Sequence, residues 1–324
     1  MLFFSIIIPV FNRPEEIREL LQSLTQQTYK NFEVLVVEDG SKPEFRCEEI
    51  VQTFENQLVI KYFFKENTGQ GFTRNYAFER AKGDFFIIFD SDIIVPADYL
   101  QIVNQATTTQ HLDAFGGPDA ASPDFNAVQK AISYSMTSIF TTGGIRGKKS
   151  GIGTFHPRSF NMGLSKKVYE SVGGFIITRM AEDLEFSIRI IRAGFKVALV
   201  EEAFVYHKRR STFGQFFKQL HFFGRARINL SRFYPEELKL VHFFPLAFTL
   251  FCLFLPMVFF VSKLLFVTGL LLLLLYVSMI FTDATLIYKS ISIGFLGVAA
   301  TFVQLLGYGF GFMKEGWKKL FEKN

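Results

Sequence analysis

A chain of 324 residues with 49% hydrophobic content can bury one large α/β core and still carry surplus apolar sequence. The surplus lies in one place: Val241 to Met313 holds almost no charge, which argues against a wholly soluble protein. The formal charge of +5 matters less than its location, and the two cysteines, Cys47 and Cys252, suit a reducing compartment.

Phe3 to Ile8 is a short apolar run of the kind that forms a strand covered on both faces. It has no basic leader and no small-residue cleavage site, and Pro9, Asn12 and Arg13 follow at once, so it does not read as a secretory signal. After Pro14, Ile17, Leu20, Leu21 and Leu24 recur at helical spacing. Phe32 to Val37 is the next strand, closing on the turn Glu38-Asp39-Gly40-Ser41. A helical pattern through Ile50 and Phe54, a strand over Val59 to Phe64, a helix from Gly69 and Gly71 to Ala81, and a strand over Phe85 to Phe89 follow. Such alternation predicts a parallel, doubly wound sheet that binds its ligand beyond the carboxyl ends of the strands. Asn12, Asp39 and Asp90 to Asp92 all fall at such ends.

The next stretch is broken by Gly116-Gly117-Pro118, Gly143-Gly144 and Gly151-Ile152-Gly153, which predict loops. Asn161 to Leu164 reads as a short strand, Glu182 to Ala193 as a helix stopped by Gly194, and Lys196 to Glu201 as a strand before Tyr206-His207. Phe213, Phe216, Phe217, Leu220 and Phe223 mark a basic amphipathic helix at about 212–232 that suits a membrane surface. Val241 to Val261, Leu264 to Phe281 and Ile291 to Met313 are three candidate spans, the third richest in glycine. Lys208, Arg209, Arg210, Lys218, Arg225, Arg227, Arg232 and Lys239 precede the first span, which places that flank in the cytoplasm and favours anionic lipid over nucleic acid as its partner. Lys314, Lys318, Lys319 and Lys323 in the tail also favour the inside, yet three crossings would put them outside. The expected organisation is a domain over 1–235, a membrane region over 241–313 with two or three helices, and a basic tail over 314–324.

Asp90-Ser91-Asp92 follows an apolar strand directly. Two carboxylates one residue apart can face one cation, and hard oxygen ligands suit Mg2+ or Mn2+ bridging a diphosphate; a turn or helix cap before Pro96 is the plainer alternative. The segments SIIIPVFNRPEEIRELLQSLTQQTYKNFEVLVVEDGS, NTGQGFTRNYAFERAKGDFFIIFDSD, FNMGLSKKVYESVGGF and AEDLEFSIRIIRAG resemble, in order and spacing, the family 2 glycosyltransferases of GT-A fold over roughly residues 4 to 230. The resemblance implies that Pro9, Val10 and Asn12 wall the nucleotide pocket, that Asp39 meets the base, and that Arg74 lies near the nucleotide and diphosphate. It further implies Asp90 on the ribose side and Asp92 as metal ligand, with His207 as a second metal or phosphate contact or else an ordinary histidine beside a basic cluster. Glu38 stands where the family usually has aspartate.

On the acceptor side the resemblance places Asn161, Met162 and Glu182, with Asp183 as general base; acids at a helix N-terminus also suit the helix dipole. His156 and Arg158 lie in the loop before this motif. The implied activity is inverting, metal-dependent transfer from a nucleotide-diphosphate sugar, a UDP-sugar favoured by Asp39, to a lipid-linked or glycan acceptor at the cytoplasmic membrane in cell-envelope synthesis. Alternatives are a polyprenyl-phosphate monosaccharide synthase and an inactive membrane scaffold of the same fold. Trp317, the one tryptophan, is far from Gln215 and Gln219, which argues against a processive synthase. No Gly-x-Gly-x-x-Gly follows the first strand, which argues against a dinucleotide-dependent oxidoreductase.

Overall fold

The computed structural model describes residues 1–120, 125–142, 155–207 and 210–322, without the side chain of His207. The glycine loops expected at Gly143-Gly144 and Gly151-Ile152-Gly153, and the basic residues Lys208, Arg209 and Lys323, lie outside the described residues. Packing divides the chain into two units, Met1–Ser122 with Gly153–Lys208, and Pro123–Ile152 with Arg209–Asn324. The sequence set the boundary near 235, after the amphipathic helix; by packing, that helix and the segment 123–152 go with the membrane-type helices.

The first unit opens with β1 (Phe4–Val10), α1 (Pro14–Thr25), β2 (Phe32–Asp39), α2 (Glu48–Gln52), β3 (Ile60–Lys65), α3 (Gln70–Phe78) and β4 (Phe85–Phe89). β5 (Ile93–Ile94), α4 (Tyr99–Thr109), β6 (Ala114–Gly116) and β7 (Asp119–Ala120) complete its first segment. The second unit's α5 (Ala127–Thr137) and α6 (Ile139–Thr142) intervene before β8 (Asn161–Ser165), α7 (Lys166–Val172), α8 (Glu182–Arg192), β9 (Val197–Leu199) and β10 (Val205–His207).

Seven strands form one sheet in the order β3-β2-β1-β4-β8-β6-β9, and β5-β10-β7 form a small second sheet. β1, β2, β3 and β4 are parallel, as their apolar runs suggest, whereas β8 is antiparallel to both β4 and β6. The sheet is therefore mixed rather than purely parallel, because the returning β8 is inserted beside β4 instead of being reached by a crossover helix. Alternate residues serve two cores: Ile6, Ile8, Val34 and Phe89 meet α1 and α4, while Ile7, Leu35, Phe86 and Ile88 meet α3, α7 and α8. The helical stripe of α1 is buried as expected, with Ile17, Leu20, Leu21 and Leu24 all inaccessible. Strand order reverses between β1 and β4, so their carboxyl ends flank a crevice at the switch point.

The second unit continues with α9 (Phe213–Leu230), α10 (Phe244–Val261), α11 (Lys263–Tyr288) and α12 (Ile291–Phe321). Three helical stretches, Leu240–Val261, Lys263–Tyr288 and Ile291–Phe321, are long and apolar enough to cross a membrane. Thr212 caps α9 by accepting from the Gln215 amide at 3.2 Å. The apolar stripe of α9 is used inside the unit: Phe216 and Leu220 are buried in a cluster with Ala131 and Ile132 of α5 and Ala300 of α12.

Candidate active site

The carboxyl ends of β1, β2 and β4 supply one wall of the crevice. Val10 packs in the core and Pro9 is half-buried. Asn12, in the left-handed region at φ 53°, clasps the loop after β2: its amide donates to Ser41 Oγ at 2.8 Å and its Oδ1 accepts from the Lys42 amide at 3.0 Å. Asp39 ends β2, where its Oδ1 accepts from Lys65 Nζ at 2.6 Å and the Thr68 amide at 2.9 Å, and its Oδ2 accepts from the Gly69 amide at 2.9 Å. Burial pushes this carboxyl up, but the bonds from Lys65, Thr68 and Thr73 and the charge of Lys65 outweigh it, so Asp39 stays below the usual range. Gly69 holds φ 89° at the start of α3, and an added Cβ would meet Thr178 Oγ1 at 2.3 Å. Glu38 points to the opposite face, where it accepts from Tyr62 Oη at 2.5 Å and the Cys47 amide at 3.1 Å, so the departure from aspartate serves the core.

Each carboxylate of the turn after β4 has its own arginine. Asp92 pairs with Arg13, the residue just before α1, and Asp90 accepts from Arg74 Nη2 at 2.8 Å. Burial opposes the charge on Arg13, and Asp92 more than compensates, raising its pKa. Arg74, expected beside the diphosphate, has no accessible surface. Its guanidinium is spent inside the protein: Nη1 lies 3.5 Å from Glu182 Oε1, and the group sits 5.4 Å from the Phe175 ring centre. Among the described residues, its contact on the side of the carboxylate turn is with Asp90. The main chain of His207 lies opposite Ile93, one residue from Asp92, while its side chain is outside the described residues.

The opposite wall is the N-terminus of α8. Met180 and Ala181 precede it with φ of 62° and 72°, two consecutive non-glycine residues in the left-handed region. Glu182 turns inward, 4% exposed, and takes a hydrogen bond from Gln70 Nε2 as well as its contact with Arg74. It is thus a buried strut between α3 and α8 rather than an acceptor contact. Burial, followed by the charge of Asp183, pushes Glu182 up to about 7 against the pull of Arg74. Asp183 keeps an 18% exposed side chain, its Oδ1 held by the Leu184 amide at 2.8 Å and its Oδ2 lying 3.4 Å from Arg158 Nη1.

Asn161 and Met162, placed on the acceptor side by sequence, are both fully buried and present no atom to an acceptor. Asn161 begins β8 beside Phe89, where it accepts from Tyr99 Oη at 2.5 Å and donates to the Ala203 carbonyl at 2.8 Å; Met162 packs between sheet and helices. Their role is to fix the strand next to the carboxylate turn. His156 in the preceding loop meets Ser187 at 2.9 Å.

Arg13, Lys65 and Gln70 were not singled out from sequence. Lys65 was reachable by strand alignment, since it is the register partner of Asp39. Gln70 and Arg74 stand at helical i,i+4 spacing, which puts both on the face that meets Glu182.

The raised carboxyl of Glu182 has a stability consequence. Between the ordinary value of 4.5 and about 7 the unfolded chain has lost a proton that the folded state keeps, so stability falls as pH rises through that window. Glu182→Gln keeps the bonding shape without the proton, and the melting temperature should then lose most of its fall between about pH 5 and 7. Parallel pH profiles of wild type and variant would refute the assignment.

Among the described residues, no three His, Cys, Asp or Glu side chains cluster to hold an ion by themselves. Asp90 and Asp92, each paired with an arginine, nonetheless carry the hard carboxylate oxygens that a divalent ion such as magnesium or manganese would take.

The family model for glycosyl transferase family 2 matches residues 5–173. An uncharacterised glycosyltransferase of Haemophilus influenzae is 27% identical over 222 residues, 64% of this chain and 70% of that one. One from Rickettsia bellii is 46% identical over 82 residues, 25% of this chain but only 12% of the relative, and the first relatives matched are all covered over less than a quarter of their length. Among solved structures, the mannosyltransferase PcManGT of Pyrobaculum calidifontis, in complex with GDP-Man and Mn2+, aligns over 98% of this chain and 88% of its own at TM-score 0.70 and 17% identity. TarS 1-349 of Staphylococcus aureus with UDP-GlcNAc aligns over 97% and 92% at TM-score 0.51 and 18% identity, a likeness of GT-A fold. With more than half of its length inside the family model, on a sheet that ends in paired carboxylates, this chain belongs to glycosyl transferase family 2.

Proposed function

We propose that the chain is a metal-dependent, inverting glycosyltransferase. It takes a sugar from a nucleotide-diphosphate donor, with UDP-sugars favoured, and places it on a membrane-proximal, lipid-linked acceptor in cell-envelope glycan synthesis. The reading is carried by the single buried guanidinium of Arg74, which touches both Asp90 on the donor side and Glu182 beside the candidate base. Arg74 thereby links one donor-side carboxylate to the acid next to the candidate base, which supports reading the two walls as one site. The nucleotide-diphosphate sugars named with PcManGT and TarS support the donor class, and the poly(ribitol-phosphate) named for TarS supports a glycan polymer or its lipid-borne precursor as acceptor.

Asp92 would hold the magnesium or manganese ion, with Asp90 turned toward the ribose. Such an ion supplies Lewis-acid stabilisation of the departing diphosphate, worth several kcal/mol. Asp183, on the far wall, takes the proton of the attacking hydroxyl, and attack opposite the leaving group inverts the anomeric centre. Apolar helices in the second unit suit a catalytic domain held at the cytoplasmic face of the membrane, which raises the effective concentration of a lipid acceptor.

A panel of UDP-, GDP- and other nucleotide sugars, scanned by thermal shift with manganese and with chelator, tests the donor assignment. One member should stabilise the protein by about 2.7 kcal/mol at a hundred times its Kd, and chelator should remove that gain. Stabilisation that persists in chelator would sink the metal role.

A further inference from the structure

Three helices satisfy the length and hydropathy of a membrane span, but contacts within the second unit separate the third from the other two. α12 and α9 lie side by side in the same direction, about ninety residues apart in sequence. Arg225 meets Glu315 at 2.9 Å, Lys319 Nζ meets Ser231 Oγ at 3.0 Å, and Arg232 reaches both Glu315 and Glu322. The backbones touch, since an added Cβ at Gly224 would stand 2.1 Å from the Tyr308 carbonyl and one at Gly311 would stand 2.0 Å from that of His221. α9 carries Lys218, Arg225 and Arg227 along its length, so it cannot enter hydrocarbon, and the half of α12 clamped to it stays out as well.

The ends agree. The last turns of α12 are tied to Arg225, Ser231 and Arg232, which precede α10 in the chain. α10 meets α12 near its own start, through Pro245 and Thr249 against Gly309, and α11 meets it near its own end, through Ala284 against Gly297 and Thr285 against Gly294. Between these points Leu253, Phe254, Phe260, Leu264 and Leu271 are exposed, an apolar surface suited to lipid. α12 is also the most covered of the three: 44% of its most apolar window is buried, against 17% and 11%.

We propose that only α10 and α11 cross the bilayer, as a hairpin turning at Ser262, and that α12 lies with α9 on the membrane surface from which the hairpin starts. The partner of this α9–α12 layer is an anionic bilayer face. Lys314, Lys318 and Lys319 then share a side with Arg225, Arg227 and Arg232, which removes the conflict that three crossings create with the positive-inside bias. The inference is independent of the reaction proposed above.

Sidedness tests it on the full-length protein in sealed membrane vesicles. In a Cys252→Ser background, where Cys47 is buried, the single variants Asn56→Cys, Ser262→Cys, Lys289→Cys and Lys318→Cys are exposed to an impermeant maleimide from one side at a time. Labelling at 56, 289 and 318 should come from one side and at 262 from the other. Labelling of 318 from the side of 262 would mean that α12 crosses, and labelling of 262 from the side of 56 would mean that the hairpin does not; either overturns the proposal. Trp317, the single tryptophan and an exposed one, gives a check in unsubstituted protein. Iodide confined to the side of residue 56 should quench it, and quenching only from the opposite side would count against the layer.

Discussion

Asp92→Asn should remove the metal-dependent part of donor binding, lowering donor affinity in manganese by about 100-fold, or roughly 3 kcal/mol, to the value found in chelator. The amide keeps the shape of the turn after β4 but offers a cation no negative charge. Arg13 sharpens the expectation, because it is paired with the same carboxylate and must yield to an incoming ion. Arg13→Gln should therefore bind manganese alone more tightly than wild type, while binding the donor with manganese no better. Titration calorimetry of donor into wild type and both variants, in manganese and in chelator, separates these effects. Equal donor affinity in all four conditions for wild type and Asp92→Asn would remove Asp92 from the metal site.

The left half of the sheet was legible because local and global preferences agree there. Phe4–Val10, Phe32–Asp39 and Phe85–Phe89 are largely apolar runs bounded by turn residues, and each is a buried strand parallel to its neighbours in that half. The acids at their ends were found because a strand end is a position that sequence alone can locate. The right half was harder to read. β6, β8 and β9 are only three to five residues long, and nothing in Asn161–Ser165 encodes that it runs antiparallel beside β4.

Burial direction was the second thing sequence withheld. Motif order placed Asn161, Met162, Glu182 and Arg74 near substrate, yet their side chains turn into the protein, where they support the groups that face the crevice. A polar side chain next to a catalytic one in sequence is often its brace, because an exposed carboxylate needs buried partners to hold it still. Likewise, hydropathy counted three candidate spans but carries no information on which helix packs against a charged neighbour. The ion pairs of Arg225 with Glu315 and of Arg232 with Glu322 join residues some ninety positions apart.

Asp183→Asn should leave donor binding within about twofold of wild type and lower the rate of transfer by roughly 10²–10⁴, the usual contribution of a positioned general base. Its geometry predicts the split between binding and rate. Asp183 is held by the Leu184 amide and Arg158, whereas Asp90 is held by Arg74 and Asp92 by Arg13, so losing Asp183 leaves the arginine pairs of the donor wall in place. Its Oδ1 is fixed by the Leu184 amide, and Arg158 at 3.4 Å on Oδ2 orients the carboxylate from the loop side. Arg158→Ala should accordingly slow transfer less than Asp183→Asn does, since it loosens the base without deleting it. Single-turnover transfer with labelled donor measures both variants, and the anomeric proton coupling of the product reports inversion. A slow Asp183→Asn that has also lost donor affinity would make the residue part of the donor wall, and an unchanged rate would require another base.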